Sequence, residues 1–114
     1  MKSDYIYLRH ILDAIQKIES YTSVGHDVFM STSHWQDAVV RQLEIIGEAT
    51  KRLSPDTRNK HPEIPWRRIA GLRDVLIHDY LGVDLSKVWQ ITQNALPRLK
   101  RGVEEILSKE GGRK

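Results

Sequence analysis

The chain has 114 residues, with 18 Lys and Arg against 15 Asp and Glu, giving a formal charge of +3 at neutral pH. That length fits one domain with a thin core, because small domains bury a lower share of their surface. There is no cysteine, which excludes disulfides and thiolate metal sites and fits a reducing compartment.

With 39% hydrophobic and 29% charged residues, the composition is that of an ordinary globular domain. The first residues, Met1-Lys2-Ser3-Asp4-Tyr5, lack the apolar run of a signal peptide, and Asp4 and Arg9 interrupt the first turns. No stretch reaches the roughly 20 apolar residues of a membrane span. The expectation is a soluble, cytoplasmic protein with no membrane partner. A pI near 9.3 is compatible with RNA, and equally with a mixed, solvated surface.

Helical spacing recurs along the chain, and no sustained alternation of period two appears. Leu8, Ile11, Leu12, Ile15 and Ile18 predict a first amphipathic helix, with Ser3 or Asp4 as its N-cap. Tyr21 to Gly25 ends it, and His26 to Met30 adds a short turn. A second helix is predicted from Ser33, a good cap, to about Leu53. Its stripe of Val39, Leu43, Ile46, Thr50 and Leu53 steps by four and three, the pattern of a packed seam. Gly47, one turn from Leu43, offers a place for close approach.

Pro55, Pro62 and Pro65 punctuate the next stretch, with a short helix predicted at Pro55–Lys60 and Pro55 in its first position. A third main helix is predicted from Trp66 to about Tyr80, stopped by Gly82. Asp84 caps a last helix with the stripe Val88, Ile91, Ala95, Leu99, Val103 and Ile106, which Pro97 should kink or split. The pattern predicts an all-α bundle of four to five helices running up and down. It forms a single domain over residues 1–110, with a frayed tail at 111–114.

The chemistry-bearing stretch is Gly71-Leu72-Arg73-Asp74-Val75-Leu76-Ile77-His78-Asp79-Tyr80. On a regular helix Ile69, Leu72 and Leu76 face the core, while Arg67, Gly71, Asp74 and His78 form an opposite line. Asp74 and His78 stand four apart, so the carboxylate can orient the imidazole and favour its charged form. His78 lies in the predicted last turn, where free carbonyls also favour an imidazolium. Arg73 and Tyr80 share a third sector. These groups can grip a phosphate, supply an acid or base and offer a phenol. Spacing alone leaves open an ordinary surface ion pair, a snorkelling Arg73 and a packed Tyr80. His10, His26, His34 and His61 show no paired spacing and are read as surface or packing residues; no metal or other cofactor is expected.

Arg73-x4-His78-x-Tyr80 resembles the Arg-x(4–6)-His motif of the HEPN superfamily, in the longer form ending His-x-Tyr that marks HepT toxins. Its surroundings resemble the blocks of that family in order. They are Arg41-Gln42-Leu43-Glu44-Ile45-Ile46-Gly47-Glu48-Ala49, Lys60-His61-Pro62-Glu63-Ile64-Pro65-Trp66, Ala70-Gly71-Leu72-Arg73-Asp74, and Ile77-His78-Asp79-Tyr80 followed by Gly82-Val83-Asp84. The resemblance covers nearly the whole chain. It implies a homodimeric helical bundle and a metal-independent ribonuclease toxin with RNA as substrate, tRNA being one candidate. Arg73 and His78 would be catalytic, with Asp74 and Asp79 in support.

The resemblance also implies a partner, an MNT nucleotidyltransferase antitoxin that silences the toxin by transferring AMP to Tyr80. Residues five apart on a regular helix differ by about 140°, so a two-fold axis would let Arg73 of one copy complement His78 of the other. The alternative is a non-catalytic HEPN module that binds substrate or nucleotide beside a nucleotidyltransferase.

Overall fold

The computed structural model describes residues 2–72 and 84–111, and their side chains over 4–72 and 84–109. Every element among them is helical, and no strand is present among the described residues. In chain order they are α1 (Lys2–Thr22), α2 (His26–Ser31), α3 (Ser33–Lys51), α4 (Pro55–Lys60) and α5 (Trp66–Ala70). After the undescribed stretch come α6 (Leu85–Gln90), a π-helical turn (Ile91–Ala95) and α7 (Leu96–Gly111).

The centre of the bundle is the seam between α1 and α3. Ile11 and Ile15 from one side and Val39, Leu43 and Ile46 from the other are fully buried. All five residues of each expected stripe lie in the core, with Thr50 satisfying its hydroxyl on the Ile46 carbonyl at 2.8 Å. Contacts between helix ends fix the directions. Asp4 near the start of α1 meets Ser54 just past α3, and Tyr21 near the end of α1 meets Trp35 near the start of α3. Glu19 near the end of α1 pairs with Lys100 near the start of α7. Both α3 and α7 therefore run antiparallel to α1, and parallel to each other.

The N-caps differ from expectation at the first two helices. Ser3 and Asp4 lie inside α1, and Asp4 is buried and turned toward α4. The cap of α3 is Thr32, with extended backbone, rather than Ser33. No side chain caps α3 there; instead Gln36 Nε2 donates to the carbonyls of Phe29 and Met30, at 2.9 and 3.2 Å, closing the end of α2. Gly25, at φ 96°, makes the turn between α1 and α2, a backbone conformation that glycine adopts without steric cost.

The last helical run bends the expected register. Asp84 caps α6 as predicted, accepting from the Lys87 N–H at 3.1 Å. The π-helical turn then intervenes before Pro97, with the Leu96 N–H reaching the Ile91 carbonyl. A wider turn shifts the following side chains around the axis. The buried stripe becomes Val88, Thr92, Leu96, Leu99, Val103 and Ile106, while Ala95 is exposed and Ile91 only half-buried. Pro97 has no N–H to donate, so an altered turn at its N-terminal side is where a regular helix must give way.

Candidate functional site

The path to the motif begins at Ser54, whose hydroxyl oxygen accepts from the Thr57 N–H and caps α4, with Pro55 at the first position. The Asp4 carboxylate accepts from the Ser54 N–H at 3.0 Å, from the Ser54 hydroxyl at 2.6 Å and from the Thr57 hydroxyl. Burial raises the pKa of this carboxyl, but the hydrogen bonds from Ser54 and Thr57 outweigh it and hold the group below its ordinary value. Arg58 Nη2 then donates back to the Leu53 carbonyl at 3.0 Å. The start of α1 thus fixes the connection that follows α3.

From there Ile64 is buried against Gly102 of α7, where a Cβ would approach its Cδ1 to 2.6 Å. Trp66 opens α5 and donates its indole N–H to the His61 carbonyl at 3.0 Å. Trp66 and Ile69 are three residues apart, and both are buried as α5 packs on α3. The block from Lys60 to Trp66 therefore anchors the helix that leads into the motif.

Helix α5 does not run unbroken from Trp66 as expected: it is interrupted at Gly71, and Leu72 beyond it is again helical. It closes at Ala70, and Gly71 adopts φ −82°, ψ −3°, with its N–H on the Arg67 and Ile69 carbonyls. A ψ near zero departs by about 40° from the helical value and redirects the chain. Leu72, just beyond, is buried as expected. The straight face drawn from Arg67 onward is thus interrupted at Gly71. Arg73, Asp74, Leu76, His78, Asp79 and Tyr80 lie outside the described residues, and so do the expected Asp74–His78 pairing, the shared sector of Arg73 and Tyr80, and the stop at Gly82. What is defined is the entry at Leu72 and the exit at the Asp84 cap.

The block from Arg41 to Ala49 divides between two faces of α3. Leu43, Ile46 and Gly47 face the core. Arg41, Glu44, Ile45, Glu48 and Ala49, joined by Arg52, line an open groove of about 450 Å³ whose other wall is Tyr7 and His10 of α1. Arg41 reaches Glu44 at 3.8 Å, and the Tyr7 and His10 rings meet edge to face at 6.2 Å. Sequence reasoning treated His10 as an unremarkable surface residue. Its partners on α3 lie more than thirty positions away, and no local spacing signals that proximity.

The remaining described histidines sit against rings or carboxylates. His26 packs on Trp89 with centroids 5.3 Å apart, His34 on Trp35 at 4.9 Å, and His61 Nδ1 lies 3.7 Å from Glu63. These are the packing and surface roles expected of them. Among the described residues no helix is long and apolar enough to cross a membrane.

Comparison with known proteins sorts these observations. Residues 11–106 match the family described as Ribonuclease HepT-like. A protein of Caldanaerobacter subterraneus named "Putative RNase" is 42% identical over 111 residues, which cover 96% of this chain and 99% of the relative. "Probable ribonuclease HepT" of Thermococcus cleftensis is 44% identical over 101 residues, 88% of this chain and 92% of the relative. A Methanocaldococcus jannaschii protein named "Gamma-glutamylcyclotransferase and putative RNase" is 45% identical over 103 residues, 90% of this chain. The match spans only 46% of that longer protein. No solved structure matches the chain. The match runs from the first core turns of α1 to the last buried residue of α7, over an all-helical bundle, and the chain accordingly belongs to the HepT-like ribonuclease family, enzymes of the ribonuclease class.

Proposed function

We propose that this protein is a metal-independent endoribonuclease toxin that cuts RNA, with tRNA as a candidate substrate, through Arg73 and His78. The observation that carries this reading is the Arg73-x4-His78-x-Tyr80 motif, set inside the family match over residues 11–106. RNA brings its own nucleophile, the 2′-hydroxyl. His78 serves as general base toward that hydroxyl or as acid toward the leaving oxygen, and Arg73 offsets charge developing on the phosphoryl oxygens. The 2′-oxygen bonds to phosphorus as the 5′-oxygen leaves with a proton, so the first product is a 2′,3′-cyclic phosphate. Asp74 and Asp79 support the two motif residues.

The single domain over residues 1–110 works in the cytoplasm as a homodimer. Arg73 and His78 differ by about 140° around any regular helix, so two copies that exchange them across a two-fold complete each site. Its partner is an MNT nucleotidyltransferase antitoxin that adenylylates Tyr80. The added AMP brings bulk and negative charge beside Arg73 and closes the site to the scissile phosphate.

The test is incubation of purified protein with total RNA, with and without EDTA. Wild type is expected to cleave in both conditions, while His78→Ala and Arg73→Ala stay folded and do not cleave. An equimolar mixture of the two inactive variants should regain part of the activity if each site is shared across the dimer. Cleavage by folded His78→Ala at the wild-type rate, or a requirement for a divalent ion, refutes the mechanism. Tyr80→Phe should retain cleavage and resist the antitoxin; an AMP adduct mapped to another residue refutes the switch.

A further inference from the structure

The short helix α5 carries two cations, Arg67 and Arg68, six and five residues before Arg73, that no carboxylate among the described residues engages. Trp66 and Ile69 occupy its buried face, which turns Arg67 and Arg68, about 100° and 200° around the axis from Trp66, to the outside. Both are exposed. The acidic residues between Ser54 and Gly71 are Asp56 and Glu63, and each is engaged elsewhere. Asp56 pairs with Lys60 at 3.2 Å, and Glu63 faces His61. Neither Arg67 nor Arg68 has a carboxylate partner among the described residues.

Chain length sets how far these cations stand from the motif. Five residues span at most about 18 Å between Arg68 and Arg73, and six span at most about 22 Å from Arg67. This bound holds whatever path the intervening backbone takes. The mounting is firm, because α5 is pinned by the Trp66 indole on the His61 carbonyl and by the burial of Ile69. Guanidinium groups suit this position, since their planar donors match phosphate oxygens two at a time.

We infer that Arg67 and Arg68 form a phosphate-binding platform that holds the RNA strand flanking the scissile bond. This rests on the ribonuclease reading above and names the residues that position its substrate. They act on binding and orientation of the strand and are not themselves catalytic.

A probe that cannot be cut separates this idea from the nuclease assignment. A short 2′-O-methyl single-stranded oligonucleotide lacks the attacking hydroxyl, and its binding to the full chain can be followed by fluorescence anisotropy over a salt series. Two lost phosphate contacts should make the plot of log affinity against log salt shallower by about 1.4 for Arg67→Ala/Arg68→Ala, and weaken binding roughly tenfold or more near 0.1 M salt. Arg67→Lys/Arg68→Lys should keep the wild-type slope, because the charges remain. With cleavable RNA the alanine pair should raise KM and leave kcat near wild type. An unchanged salt slope overturns the inference, as does weaker binding with no change in slope. If wild type cleaves RNA and the alanine pair binds like it, only the platform falls. If wild type binds the probe with the predicted slope change in the variant but never cleaves RNA, the platform stands and the nuclease reading fails. Absence of any probe binding by wild type overturns the platform, while the nuclease reading stands or falls on cleavage of RNA.

Discussion

Two neighbouring parts of this molecule are held together by different physics. The α1–α3 seam is a long contact between two helices of 21 and 19 residues, filled with branched aliphatics that exclude water. The stretch from Ser54 to Ala70 contains two helices of six and five residues, too short to be stable alone. It is held by a few specific anchors: Asp4 on Ser54 and Thr57, Arg58 on the Leu53 carbonyl, Ile64 against Gly102, and Trp66 on the His61 carbonyl. The seam tolerates approximate fit because its stabilisation is spread over much area. The anchored stretch gains its position from few groups, so each substitution there is local and legible. The motif is attached to the second part.

The largest effect should come from emptying the seam. Leu43→Ala removes a fully buried side chain facing α1 and should cost about 2–5 kcal/mol, the range for large-to-small changes in a packed core. Chemical denaturation with a two-state fit measures it. A loss below about 1 kcal/mol would mean that α3 can collapse onto the cavity, and that the seam is looser than its burial implies.

Asp4 tests the anchored part. Asp4→Ala leaves the Ser54 N–H and two hydroxyls without their acceptor, at a cost of about 1–3 kcal/mol at neutral pH. Because the folded-state pKa is depressed, this stabilisation is present above the unfolded carboxyl's value of 3.8 and fades as pH falls through the lower folded value. The gap between wild type and variant should therefore be full at pH 7 and narrow below about pH 4. A gap that is equal at pH 7 and pH 3 would show that packing rather than the ionised carboxylate does the anchoring.

Asp4 also shows where a sequence stops being readable. Its residue type and position suggested a cap for its own helix, yet its partners lie fifty and fifty-three positions away. Local spacing carries no trace of such a tether. The stripes of α1 and α3 were readable because both helices are regular, so a period of 3.6 holds along their whole length. Periodicity failed at Gly71, where a single residue with ψ near zero ends α5 inside an unbroken helical pattern. The motif itself could be recognised as a string of residues and a resemblance. The helical-wheel relations that reach back across Gly71 to Arg67 and Ile69 needed a straight helix there, and that premise does not hold; the relations within 73–80 lie outside the described residues.

A smaller effect is expected at the last anchor before the motif. Trp66→Phe keeps the aromatic body in the core and deletes one of two donors to the His61 carbonyl, which keeps the Ile64 N–H at 3.2 Å, so the cost should be about 1 kcal/mol. Thermal melting should record a drop of a few degrees. A drop as large as that of Leu43→Ala would erase the distinction between anchor and seam.

The smallest effect should fall on Ala95, and it decides the register of the C-terminal run. Spacing by three and four from Val88 assigned Ala95 to the core, but the π-helical turn over Ile91–Ala95 carries it to the surface and brings Thr92 and Leu96 inward. Thr92 is accommodated because its hydroxyl donates to the Trp89 carbonyl at 2.6 Å, so a buried polar group is satisfied within its own turn. If this register is right, Ala95→Lys places a charge in water and changes stability by no more than about 0.5 kcal/mol, the usual range for an exposed site. Leu96→Lys, one residue on, buries an unpaired ammonium on α7's core face and should unfold the protein or cost several kcal/mol. The pair of substitutions is nearly identical in charge and sequence position, so differences in the unfolded chain largely cancel and the contrast reports on which side chain faces inward. Equal destabilisation by both, or a larger loss from Ala95→Lys, would restore the regular helix and remove the π-helical turn from the structure.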